Sequence, residues 1–162
     1  MFSHLDDEGK ASMVDVSGKT PTQRMARART VVHVDEAVLA AADGGAILTP
    51  KGSVFQTAII AGVMGAKRTS DLIPLCHPIG MQDCQINIEL REATIIIECT
   101  ARVFAGTGVE MEALTGATVA ALTVYDMCKS ISPDIRIGET LLMEKRGGKR
   151  DFLREESETP AS

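Results

Sequence analysis

The chain has 162 residues, 44% hydrophobic and 24% charged, with a net charge of −5. That length favours one domain with a fair core, and the negative balance argues against a general nucleic-acid binder. No apolar stretch is long enough to span a bilayer, and the start, MFSHLDDEGK, has neither the basic nor the apolar region of a signal peptide, so a cytoplasmic protein is expected.

Residues 1–28 are polar, include SGKTPTQRMARAR, and read as a flexible N-terminal arm. TVVHV, from Thr30 to Val34, is β-branched and reads as a strand. Asp35 is placed to cap a short helix, EAVLAAA, that stops at Gly44-Gly45. A longer helix is expected from about Ser53 to Arg68. Its internal glycines, Gly62 and Gly65, each cost an isolated helix roughly 1 kcal/mol, which close packing against another element would offset. After a loop held by Pro74 and Pro78 the period changes to two. Cys84, Ile86, Ile88 and Leu90 share one face of a strand, and Glu92-Ala93 turns it into a second strand, TIIIECTARV. A long Ala- and Leu-rich helix follows from about Val109 to Ser130, ended by Pro133. IRIGETLLMEK is the last strand, and residues 151–162 read as a disordered tail.

The order β-α-β-β-α-β, with an extra helix in the first crossover, predicts an α+β ferredoxin-like sandwich spanning 29–150 as a single domain. Its antiparallel sheet carries helices on one face. The strands look apolar enough that the other face needs cover, and a second copy of the chain is the simple answer, giving an oligomer joined through the sheet.

Several residues are candidates for chemistry. Lys51-Gly52, after Pro50, stands where a helix start could hold a phosphate, or is a solvated turn. Lys67 and Arg68 end the same helix, where its dipole favours cations whatever their role. They lead into SDLIPLCHP, a restrained loop able to position Cys76 and His77. No Cys-x-x-Cys pair occurs among Cys76, Cys84, Cys99 and Cys128, so a metal site is not expected, a zinc held by Cys76, His77 and Cys84 being the remote alternative. Glu110 and Glu112 open the long helix about 200° apart, so at most one faces the core. Asp126 and Lys129 lie i, i+3 in an apolar context and read as a partly buried acid–lysine pair suited to proton transfer. Glu112 and Asp126 are about 21 Å apart along the helix, so one small substrate touches both only if the site is elongated or shared between subunits.

PKGSVFQTAIIAGVMGAKRTSDLIPLCHPI, GTGVEMEALTGATVAALTVYDMCKSI and MVDVSGK closely resemble the cyclic pyranopterin monophosphate synthase family of molybdenum cofactor biosynthesis. The resemblance covers about Met13 to Phe152. It implies a lyase that converts 3′,8-cyclo-7,8-dihydro-GTP into cyclic pyranopterin monophosphate, releasing pyrophosphate. It implies a homohexamer, a trimer of dimers, with the active site at the dimer interface. Its catalytic residues fall on Lys51, Asp126 and Lys129. Its loop histidine falls on His77 and its two glutamates on Glu110 and Glu112, with Arg24, Lys145 and Lys149 as weaker carry-overs; on the residues' own chemistry, Lys67, Arg68 and Cys76 join His77, Glu110, Glu112 and Lys149 as substrate-binding candidates. No cofactor is implied beyond Mg²⁺ accompanying the triphosphate. The competing reading is a non-catalytic nucleotide-binding regulatory module of the same fold. Gly116, where a better helix former is expected, is one of the departures from the pattern.

Overall fold

A computed structural model describes residues 8–155. The principal strands are β1 (Thr22–His33), β5 (Asp83–Arg91), β6 (Thr94–Ala105) and β7 (Arg136–Arg146), extended by the two-residue β8 (Phe152–Leu153). They form one antiparallel sheet in the order β5-β6-β1-β7-β8. Two helices, α2 (Val54–Lys67) and α4 (Glu110–Cys128), cover one face: α4 lies over β1, β6 and β7, and α2 over β5. This is the ferredoxin-like sandwich that the order of elements predicts. A short helix α1 (Glu36–Ala40), with Asp35 accepting from the Val38 N–H at 3.1 Å, follows β1. A small hairpin sheet of β2 (Ala42–Asp43), β3 (Ala46–Thr49) and β4 (Gly52–Ser53) then leads into α2. A single turn, α3 (Thr69–Leu72), follows α2.

Two boundaries depart from expectation. β1 begins at Thr22, eight residues before TVVHV, so residues 22–28 are central strand rather than arm. Polar Arg27 and Arg29 hide this, because only Ala26 and Ala28 of that segment turn into the core. Gly44-Gly45, read as a helix stop, is the turn of the β2–β3 hairpin, with φ of +57° and +83°. In the tail, β8 pairs with β7 through residue 153, and residues 156–162 lie outside the described residues.

Strand alternation sorts the sheet's two faces. Ala26, Ala28, Val32, Ile95, Ile97, Cys99, Ala101 and Val103 are buried under the helices. The opposite face is not the apolar surface expected of these strands. Its centre is an ion-pair network: Arg27 and Arg29 both reach Glu98 at 2.8 Å, and Arg27 and Arg146 converge on Glu144. The apolar runs are apolar on one side, and that side is already covered.

Between the helices no side chain fits. A Cβ on Gly62 would stand 2.2 Å from Ile86 Cδ1 and 2.8 Å from the Gly116 carbonyl oxygen; one on Gly116 would stand 2.7 Å from Cys99 Sγ. The weak helix former at 116 is therefore a packing requirement. Gly62→Ala should lower stability by about 1–3 kcal/mol in urea unfolding, although alanine is the better helix former by roughly 1 kcal/mol. A stability equal to or above the parent's would refute the close-packing account.

Candidate active site

The candidate residues gather at the two ends of α4. At its N-terminal end a cleft of about 660 Å³ is walled by Val14, Val16 and Lys19 of the N-terminal segment, by Arg24 and Met25 of β1, by His77, by the Gly106–Glu110 turn, and by Lys145, Arg146 and the 148–150 loop. Six lysines and arginines line it: Lys19, Arg24, Lys145, Arg146, Lys149 and Arg150. Glu110 is the one carboxylate in the lining, paired with Lys145 at 3.1 Å. Arg24 donates to the Ala105 and Gly106 carbonyls, which fixes the turn that opens α4. Helix α4 has no side-chain cap, and its first turn carries Glu110 and Glu112, the latter accepting from its own backbone N–H.

Two smaller cavities adjoin Glu112. One, about 260 Å³, is lined by Cys76, His77, Gly108, Glu110 and Glu112; the other, about 230 Å³, by Lys67, Ser70, Met81 and Glu112. Of the two helix-opening acids, Glu112 is buried, at 5% exposure, and Glu110 faces the cleft. Burial pushes the Glu112 carboxyl above its ordinary value, and nearby Glu110 adds to the rise. The Cys76 thiol is likewise pushed up by burial and by Glu112, which makes it a poor nucleophile. The Pro-bounded loop brings Cys76 and His77 to the Glu112 cavity, as its restraint predicts.

At the other end of α4, the Asp126 carboxylate takes Lys129 Nζ at 2.6 Å and Lys51 Nζ at 3.4 Å. Lys51 reaches it from the β3–β4 turn, where its N–H is held by Thr49 Oγ1 at 3.2 Å. The pair was expected to be partly buried; instead the three side chains are 54–56% exposed, because the apolar neighbours Val124, Met127 and Cys128 turn inward and leave 126 and 129 on the outer stripe. The Lys129 hydrogen bond, then Lys51, hold the Asp126 carboxyl below its usual range, and Asp126 in turn raises Lys129. Sixteen positions separate Glu110 from Asp126, about 24 Å of helix, so the two clusters remain apart within one chain.

Arg68 caps α2, is exposed, and lines none of these cavities. Cys84 lies against Cys99, Sγ to Sγ 3.8 Å, beneath the helices rather than beside Cys76 and His77. Among the described residues, no group of three His, Cys, Asp or Glu side chains gathers to hold a metal. The sequence reading passed over Lys19, Arg146 and Arg150. The basic run EKRGGKR was the signal for Arg146 and Arg150, but which of its cations face inward depends on the turn after β7; Lys19 stands in SGKTP, which carries no such run.

The fold and site define a ferredoxin-like anion-binding protein with a separate acid–lysine cluster. More specifically, the chain belongs to the MoaC family, which matches residues 13–148. It is 53% identical over 152 residues to the cyclic pyranopterin monophosphate synthase of Xanthomonas campestris pv. campestris (strain B100), covering 93% of this chain and 92% of that protein. It is 46% identical over 157 residues to the cyclic pyranopterin monophosphate synthase of Nitratidesulfovibrio vulgaris, covering 96% of both. The molybdenum cofactor biosynthesis protein 1 of Drosophila melanogaster shares 50% identity over 157 residues, which is 96% of this chain and 27% of that protein.

Two predictions follow from the electrostatics. The folded-state pKa of Glu112 lies above its unfolded value, so its contribution to stability is full at low pH and is lost as pH rises through the folded value. Glu112→Gln should therefore gain thermal stability relative to the parent as pH rises from about 4 to 8, a window that starts near the ordinary glutamate value; a pH-independent difference would contradict the burial argument. Lys129→Ala should raise the NMR titration midpoint of Asp126 more than Lys51→Ala does, since the Lys129 contact is the stronger. The opposite ranking would reassign the pair.

Proposed function

We propose that this protein is a cyclic pyranopterin monophosphate synthase, converting 3′,8-cyclo-7,8-dihydro-GTP to cyclic pyranopterin monophosphate with release of pyrophosphate. The observation that carries the reading is the concentration of six cations around one carboxylate in the cleft of a chain whose net charge is −5. A triphosphate carries about four negative charges, and only a local cation cluster of this kind offsets them.

A ribose hydroxyl attacks the α-phosphorus, a new O–P bond forms, and the bond to the β-phosphate oxygen breaks with its electron pair leaving on pyrophosphate. Lys19, Lys145, Lys149 and Arg150 neutralise that leaving charge. Lys67, His77, Glu110 and Glu112 border the adjoining cavities and orient the base. Glu112, its carboxyl pushed up by burial, holds or passes a proton near neutral pH more readily than an exposed glutamate. Ring opening and reclosure need proton transfers to nitrogen and carbon. Asp126, Lys129 and Lys51 are assigned to them, the ammonium groups as acids and the depressed Asp126 as the anion that orients them. Mg²⁺ would arrive on the phosphate oxygens.

The separation of about 24 Å between the clusters supports a site shared between two chains rather than one elongated within a single chain. We therefore take the assembly as a homohexamer, a trimer of dimers, in which the Asp126 end of one subunit completes the cationic cleft of another. The cytoplasm suits its four unpaired cysteines.

Turnover tests this directly. The parent should release pyrophosphate and the cyclic phosphate from 3′,8-cyclo-dihydro-GTP, and Asp126→Ala and Lys129→Ala should each lose about 10²-fold or more in kcat while remaining folded. Tight binding without turnover by the parent would favour the regulatory-module reading. Mixed Lys51→Ala and Glu112→Ala chains, each inactive alone, should regain activity in sites where two intact halves meet. No recovery would place both clusters' work within one chain.

A further inference from the structure

The N-terminal segment makes a contact with the candidate site that none of the roles above uses. His77 Nε2 lies 2.6 Å from the backbone carbonyl oxygen of Val14, across 63 residues of sequence. A carbonyl oxygen only accepts, so Nε2 must carry the proton in this contact. The segment that supplies the carbonyl has its own bonds. Lys19 N–H donates to the Val16 carbonyl at 3.0 Å, and Ser17 N–H donates to the Asp15 carboxylate at 2.9 Å. The turn also packs on the loop that opens α4: a Cβ on Gly106 would stand 3.2 Å from both the Lys19 carbonyl oxygen and its Cβ. Pro78 restricts the backbone of His77 itself to extended conformations.

We infer that the Val14 carbonyl is a positioning group: it holds His77 in the Nε2–H form and leaves Nδ1 as the atom that accepts a proton or a hydrogen bond from substrate. A histidine's reactive nitrogen is set by the bond its other nitrogen makes, and here that bond comes from a chain segment forming a wall of the cleft. Order in residues 14–19 and orientation of His77 are then one event. The inference rests on the proposed synthase reading only for what the proton transfer is used for; the tautomer and the contact stand independently of it.

Two substitutions separate the nitrogens. Glutamine places its amide NH₂ near the position of Nε2 and has nothing at Nδ1; asparagine places its amide near Nδ1 and is too short to reach Val14. In the full-length protein, ¹⁵N NMR of the histidines should show His77 protonated at Nε2 and bare at Nδ1 in its neutral form. His77→Gln should keep hydrogen-exchange protection of residues 14–19 and lose about 10²-fold or more in kcat; His77→Asn should lose both. A neutral His77 protonated at Nδ1 would overturn the inference. So would loss of protection at residues 14–19 in His77→Gln, or a His77→Gln kcat close to the parent's, since His77 would then serve only to anchor the segment. If the parent shows no turnover, the synthase reading fails, while the tautomer and exchange measurements still decide the contact.

Discussion

The separation of α2 from α4 is set by glycine, and the arrangement of the site depends on it. With Gly62 facing the Gly116 carbonyl and Gly116 facing Cys99, the two helix backbones approach each other and the sheet more closely than any side chain permits. Helix α4 is thereby held along 19 residues over β1, β6 and β7. A rod gripped at its middle has two defined ends. One opens beside the β1 and β7 cations, and the other meets Lys51 at the β3–β4 turn. The internal glycines of α2 weaken the helix locally by roughly 1 kcal/mol each, less than the close packing returns, an exchange that only tertiary contact makes favourable.

The molecule treats its cations in two ways. On the open face of the sheet Arg27 and Arg29 are met by Glu98 and Glu144, so the charge is cancelled in place, and Arg146 at the cleft wall also pairs with Glu144. In the cleft Lys19, Lys149 and Arg150 have no ion-pair partner among the described residues, and Arg24 is bonded to backbone carbonyls. Unpaired positive charge gathered in one concavity of an acidic protein raises the local potential for a multiply charged anion. At the far end of α4, Asp126 bonded to two lysines holds both ammonium groups in place and raises the pKa of Lys129. One end of the helix gathers cations around a cleft, and the other holds a carboxylate between two lysines.

Much of this was legible from the residues. The period-two pattern from Cys84 to Leu90 is apolar toward the helices in the structure, and Asp35 caps the helix it precedes. Glu112 turns inward and Glu110 outward, as two positions on a helix must. The start of β1 was hidden because a strand buried on one face alternates with arginines on the other, and alternating arginines read as polar arm. The same alternation explains the open face, where apolar composition counted along the strands overstated how much needed cover. Asp126 and Lys129 were expected to be more buried than they are because composition averages over a turn, whereas exposure depends on which stripe a residue occupies.

By itself, then, the sequence determined the order of elements, the ferredoxin-like class, the family, and most of the candidate side chains that the structure gathers at the ends of α4, because these depend on local periodicity, capping and residue type. Tertiary structure alone decided which cations face one cleft, that the Val14 carbonyl meets His77, and that the two clusters stand at opposite ends of one helix. Those facts depend on contacts between residues distant in the chain, 63 positions apart for Val14 and His77 and 75 for Lys51 and Asp126, and no local pattern records a partner at that range.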